Sequence, residues 1–257
     1  MNAGETIKTM KTRKNLVTLN KINNEVHPPL KSIISELELI VNDASASNSE
    51  ELKVITQAMH NSAYSLLNTF DNFLAFSGIR AENLKLEKQL FSISQEVEEC
   101  TNLLSTSAKQ KNIEIKYSIG KTIPRLICGD QKKYKLILRN LLLNAVELSS
   151  GGRINLEIDL STGNHEEVKI ITSITNSGSG ISDEKINQLF KPFELNNINY
   201  NNFVNEGLGL FIARELCDFL KGKLIIKSDI NEGSNFTYVL DFERFSRNKE
   251  VPVHLVS

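Results

Sequence analysis

Asn140-Leu-Leu-Leu-Asn-Ala145 sets two asparagines one helical turn apart, inside an apolar pattern that predicts a helix from about Asp130 to Leu148. Four residues is close to one turn, so Asn140 and Asn144 share a face. Downstream, the stretches Arg153–Leu160 and Val168–Thr175 read as strands, and Asn176-Ser-Gly-Ser-Gly-Ile181 follows the second. A helix is expected over Ser182–Leu189 with Ser182 as N-cap, then an Asn-rich loop, then a helix from about Leu208 to Leu220. Strands near Lys223–Ser228 and Phe236–Phe242 complete this side. Upstream, Phe91-Ser92-Ile93 reads as a short strand, Ser94 through Lys111 as a helix and Glu114–Ile119 as an alternating strand. Strands and helices in this order predict an α/β sandwich over residues 88–245, with helices on one face of a mixed sheet. The tail, 246–257, has no periodicity.

The first third has a different period. Ile33, Ile34, Leu37, Ile40 and Val41 fall at helical spacing, and the small polar run Asp43–Ser49 interrupts them as a turn. A second helical pattern carries Leu52, Ile55, Met59, Ala63, Leu66, Leu67, Phe70, Phe73 and Leu74, and Ser77-Gly78 is expected to close it. Two long amphipathic helices with a short connection predict an antiparallel hairpin over 21–80, after a lead-in at 1–20. A lone hairpin leaves one apolar stripe exposed, so a second copy is expected to complete a four-helix bundle. The fold class is therefore α+β, hairpin first and sandwich second, with the boundary near residues 78–90.

Composition narrows the function classes. The 257 residues include 40% hydrophobic and 24% charged ones, ordinary for a globular protein. A formal net charge of -1 gives no basis for a nucleic-acid surface. No apolar run approaches the roughly 20 residues that cross a bilayer. The basic start, MNAGETIKTMKTRKN, has no apolar stretch behind it and does not read as a secretory signal, so a cytoplasmic location is the expectation. Cys100, Cys128 and Cys217 are far apart and suit neither a disulfide framework nor a zinc site, and buried reduced thiols are expected.

Several stretches, in order and at the right separations, resemble the transmitter core of sensor histidine kinases. Asn24-Glu-Val-His-Pro-Pro-Leu30 resembles the box that normally reads His-Glu-(Ile/Leu)-Arg-Thr-Pro-Leu, and Phe70 through Glu87 resembles the end of the dimerisation hairpin and its exit linker. Asn140–Ala145 is similar to the asparagine box of the GHKL-type ATP-binding domain. Asn176–Ile181, Phe190-Lys-Pro-Phe193 and Gly207-Leu-Gly-Leu210 resemble its first glycine box, phenylalanine box and second glycine box. Each motif alone is common; the order and spacing carry the resemblance.

The resemblance implies ATP and Mg²⁺ as cofactors. It makes Asn144 the side-chain oxygen ligand of Mg²⁺, a donor type that suits a hard cation, with Asn140 beside it. Gly178 and Gly180 would let backbone approach the adenine pocket, and Gly207, Leu208 and Gly209 would open a helix whose amides face the phosphates. Asn176 stands where the family has the aspartate that reads the adenine amino group.

The departures are equally specific. Asn24 holds the phosphoacceptor position, and an amide nitrogen is not nucleophilic at neutral pH. Glu25 keeps the acidic neighbour of an imidazole that is absent. His27 lies three residues on but precedes Pro28, which disfavours helical geometry there. Pro28 occupies a position where the family often orients water for dephosphorylation. Asn176 loses a charge and one acceptor oxygen. Glu147 replaces a basic residue, and Glu194–Glu206 contains no lysine or arginine to grip a terminal phosphate. These changes predict weakened nucleotide binding and no autophosphorylation.

Three readings result. The first is a pseudokinase that binds a response-regulator receiver domain, or a partner histidine kinase, and modulates phosphotransfer as a homodimer. The second is an ATP-binding histidine kinase acting in trans on a partner subunit. The third is a phosphotransferase that uses His27.

Overall fold

The computed structural model describes residues 30–31, 33–35, 37–40, 50–164, 166–184, 186 and 208–245. Asn24, Glu25, His27, Gly207 and the residues at 1–20, 187–207 and 246–257 lie outside the described part. Two units divide the chain, Met1–Leu84 and Lys85–Ser257.

In the first unit the described residues of 30–40 are helical, and helix α1 covers Glu50–Arg80. Ile34, Leu37, Leu67 and Phe76 are buried, with Thr56 and Asn72 among them. The Tyr64 hydroxyl donates to Glu38 Oε1 at 3.5 Å, linking the two helical stretches. Ile55, Met59 and Leu66, spaced on one face of α1, are each more than half exposed at 51%, 52% and 57%. The helix does not end at Ser77-Gly78 as its sequence suggests. It ends where Glu82 takes φ 50, with Ala81 donating to the Ser77 carbonyl at 3.1 Å and Asn83 to that of Gly78 at 3.0 Å.

The second unit runs β1 (Gln89–Phe91), α2 (Ile93–Gln110), β2 (Ile113–Ile119), β3 (Ile127–Gly129), α3 (Gln131–Leu148), β4 (Gly152–Gly163), β5 (Glu167–Asn176), α4 (Leu208–Phe219), β6 (Lys223–Asp229) and β7 (Gly233–Arg244). Its strands form one sheet in the order β1-β3-β7-β5-β4-β2, with β6 also paired to β7. β2 and β4 are parallel, and the other described pairs are antiparallel.

Period-two alternation builds the core. Ile154, Leu156 and Ile158 of β4, Ile170 and Ile174 of β5, and Phe236, Tyr238 and Leu240 of β7 are buried. Helix α3 contributes Tyr134, Ile137, Leu138, Leu141 and Ala145 to the same interior. The Tyr134 ring lies 6.2 Å from that of Tyr238 and 5.8 Å from that of Phe242. Each such aliphatic or aromatic burial is worth about 1.5–3 kcal/mol. The alternate positions Ser173, Thr175, Asn235 and Thr237 hydrogen-bond to one another instead.

Two local readings shift. Phe91 ends β1, Ser92 is the extended N-cap of α2 and Ile93 is already helical, with Glu96 N–H on the Ser92 carbonyl at 3.2 Å. Strand β3 has no counterpart in the sequence reading, because three residues are too few to show alternation.

Asp130 anchors the start of α3. Its fully buried carboxylate accepts from Lys133 N–H at 3.0 Å, Glu87 N–H at 2.9 Å and Lys133 Nζ at 2.7 Å. Lys133 Nζ also reaches the Lys85 carbonyl at 2.6 Å. Asp130→Ala is expected to destabilise the protein by about 1–3 kcal/mol, since it removes a cap and the carboxylate that Glu87 N–H and Lys133 Nζ share. A urea titration checks this: Asp130→Asn should lose less, and an unchanged midpoint for the alanine variant would contradict the anchor.

Candidate nucleotide site

Helix α3 places both asparagines. Asn140 is buried. Asn144 Nδ2 donates to the Asn140 carbonyl at 2.7 Å, so the amide spends its nitrogen on its own helix. Its Oδ1, the atom type a hard cation prefers, is left as an acceptor. Gly209, at the start of α4, sits against both. A Cβ there would stand 3.0 Å from Asn140 Oδ1 and 3.5 Å from Asn144 Nδ2. The structure thus brings Asn140, Asn144 and Gly209 together, and the residues fit an Mg²⁺-nucleotide at the Asn144 oxygen.

Asn176 ends β5 and is 2% exposed. Its Nδ2 donates to Ser149 Oγ at 3.1 Å, and Ser149 Oγ donates to the Ala145 carbonyl at 2.8 Å. Asn176 Oδ1 is buried and has no hydrogen-bond partner. A buried acceptor without a donor costs on the order of 1–3 kcal/mol, which a donor from a bound group would recover.

The loop after Asn176 is fixed by backbone. Ser179 N–H donates to the Leu148 carbonyl at 3.3 Å and Asn231 N–H to the Ser179 carbonyl at 2.9 Å, while Ile181 N–H donates to Ser228 Oγ at 2.7 Å. A Cβ on Gly178 would fall on the Leu148 carbonyl oxygen, and one on Gly180, at φ +68, on that of Asp229. The space these glycines leave is taken by the protein's own main chain, which draws the loop onto the end of α3 and onto the β6–β7 turn.

Charge around the end of α3 is mixed. Lys111 Nζ donates to the carbonyls of Val146 and Glu147 at 3.1 and 3.3 Å, placing a cation at the negative end of the helix dipole. Desolvation raises the Glu147 carboxyl above the ordinary carboxylate range, opposed by Lys111. Cys100 and Cys217 are buried and none of the three cysteines is in a disulfide; burial pushes Cys100 up to about 12. Among the described residues no group of three or more His, Cys, Asp or Glu side chains could hold a metal ion, and no helix is long and apolar enough to cross a membrane.

Residues 129–244 match the family model described as histidine kinase-, DNA gyrase B- and HSP90-like ATPase. Over these residues the chain is similar to that family, and the likeness extends further along it. Hybrid signal transduction histidine kinase B of Dictyostelium discoideum is 25% identical over 226 residues, which cover 88% of this chain and 11% of the relative. Peroxide stress-activated histidine kinase mak2 of Schizosaccharomyces pombe is 28% identical, covering 86% of this chain and 10% of the relative. The chain therefore spans about a tenth of either relative. Among solved structures, full-length ShkA in complex with AMPPNP superposes with a TM-score of 0.59 at 22% identity, covering 89% of this chain and 46% of that one. The Acinetobacter baumannii histidine kinase AdeS gives a TM-score of 0.53 at 19% identity, covering 82% and 96%. Both show the fold.

Ser149 and Ser228 escaped the sequence reading. Each acts on a residue distant in the chain, and nothing in Ser149-Ser-Gly-Gly152 or the strand around Ser228 marks it. The asymmetry between the two glycines is open to test. Gly180→Ala meets backbone at positive φ and should cost more than about 1 kcal/mol, whereas Gly209→Ala meets a side-chain amide that can give and should cost less. Thermal unfolding of the two variants would contradict this if their losses were equal.

Proposed function

We propose that this chain is the transmitter core of a histidine-kinase-like two-component signalling protein that acts as a pseudokinase. It binds a response-regulator receiver domain or a partner kinase and modulates their phosphotransfer. The observation that carries the reading is Asn24 at the position where the family has its phosphoacceptor histidine. An amide in that place forms no phosphohistidine, whatever the pocket downstream holds.

Beside this loss, the features of a nucleotide pocket remain. Asn144 keeps an oxygen for Mg²⁺, Gly209 leaves room beside both asparagines, and Asn176 keeps a buried acceptor for a base. Mg²⁺-ATP, when bound, supplies a transferable phosphoryl group. The chain's own contribution is to hold the base at Asn176 and the phosphates near the start of α4. The exposed stripe of Ile55, Met59 and Leu66 supports a homodimer in which residues 21–80 form a helical bundle. The kinase names of the relatives support the two-component setting.

The same pocket features favour a second reading, in which the chain phosphorylates a histidine on a partner subunit. Glu147 and the segment 194–206, which has no lysine or arginine, weigh against it, since phosphoryl transfer rests on positioning and neutralising cations.

Calorimetry of the purified chain with ATP, with and without Mg²⁺, tests the pocket. Weak Mg²⁺-dependent binding is expected, strengthened about tenfold to hundredfold in Asn176→Asp by the restored charged acceptor. Tight binding by the natural chain would favour the trans-acting kinase. No binding by either form at millimolar nucleotide would remove nucleotide from the account and leave the helical surface alone.

A further inference from the structure

Ser149 has one hydroxyl hydrogen, and it is committed. Oγ donates to the Ala145 carbonyl at 2.8 Å, so toward Asn176 it offers only a lone pair. The Asn176 amide therefore turns its nitrogen to Ser149, at 3.1 Å. Turned the other way, its oxygen would gain the hydroxyl hydrogen only if Ser149 let go of the Ala145 carbonyl, so one of the two bonds would be lost. The nitrogen end is closed in as well, since a Cβ on Gly178 would lie 3.1 Å from Asn176 Nδ2. Oδ1 is left as the buried atom without a partner, in a residue 2% exposed.

An asparagine is by itself ambiguous. Its nitrogen can read a 6-oxo purine and its oxygen a 6-amino purine. An aspartate has no such choice, because both oxygens accept. We infer that Ser149 is a positioning residue that fixes the Asn176 amide with Oδ1 as its unpartnered acceptor, and so makes this site select 6-amino over 6-oxo purine nucleotides. The inference rests on the reading of this pocket as a nucleotide site. The substitution that removed the charged base-reader thus keeps its selectivity through a neighbour's hydrogen bond.

The test compares ATP with ITP, which differ at the 6-position, as competitors of fluorescent trinitrophenyl-ATP on the whole chain with Mg²⁺. The natural chain should release the probe at ATP concentrations about tenfold or more below those of ITP, the scale of one buried hydrogen bond to a base. Ser149→Ala frees the amide to rotate, and the preference should fall below about threefold. Ser149→Thr, which keeps the hydroxyl, should retain it. In an Asn176→Asp background Ser149→Ala should leave the preference unchanged, because no amide remains to be oriented. That cycle separates orientation from general damage to the pocket. Equal competition by ITP and ATP on the natural chain overturns the inference while leaving the nucleotide pocket in place. An unchanged preference in Ser149→Ala also overturns it. If Ser149→Ala does not fold, the natural chain and Ser149→Thr decide the matter. Failure of the probe to bind the natural chain overturns the pocket reading and the inference together.

Discussion

Helix α3 is clamped at both ends, and the candidate site depends on that clamp. At its start the buried Asp130 carboxylate takes donors from Lys133 and from Glu87. At its end Lys111 donates to two terminal carbonyls. Between the clamps, one side of α3 supplies Tyr134, Ile137, Leu138 and Leu141 to the interior, while Asn140 and Asn144 meet α4 at Gly209. The last turn and its C-cap reach β5 through Ala145, Ser149 and Asn176. A shift of this helix would disturb Asn144 and Asn176 at once.

The core that positions Asn144 and Asn176 is a packing solution, which stands without any phosphotransfer chemistry. Phosphotransfer needs more: a nucleophile, cations around the terminal phosphate and a mobile step that joins them. In this chain Asn24 stands where the resemblance to histidine kinases puts the nucleophile, and the segment 194–206 has no basic residue. Binding places fewer demands on a protein than transfer does, because weak occupancy needs shape and a few hydrogen bonds, whereas transfer needs every part in line.

Much of the fold was legible because it rests on periodicity. The apolar spacing of α3 and the alternation in β4, β5 and β7 are local signals, and they located Asn140 and Asn144 on the right helix and Asn176 one residue past a strand that includes it. Strand β3 was not legible, since Ile127-Cys-Gly129 owes its pairing to β1 and β7 rather than to its own pattern. Gly78 read as a helix stop, yet the left-handed residue is Glu82. The relay through Ser149 was invisible for another reason. It joins residues 27 apart in the chain, and its meaning lies in the direction of one hydroxyl hydrogen. The role of Gly178 and Gly180 likewise became clear only when Leu148 and Asp229 were seen filling the space beside them.

The central claim is a pocket kept without self-phosphorylation. Incubating the whole chain with Mg²⁺ and γ-³²P-labelled ATP, alone and then with an Asn24→His variant, measures it most directly. The account predicts no acid-labile label on the natural chain, because no imidazole stands at residue 24. Stable incorporation of phosphate into the natural chain, at His27 or any other side chain, would contradict it.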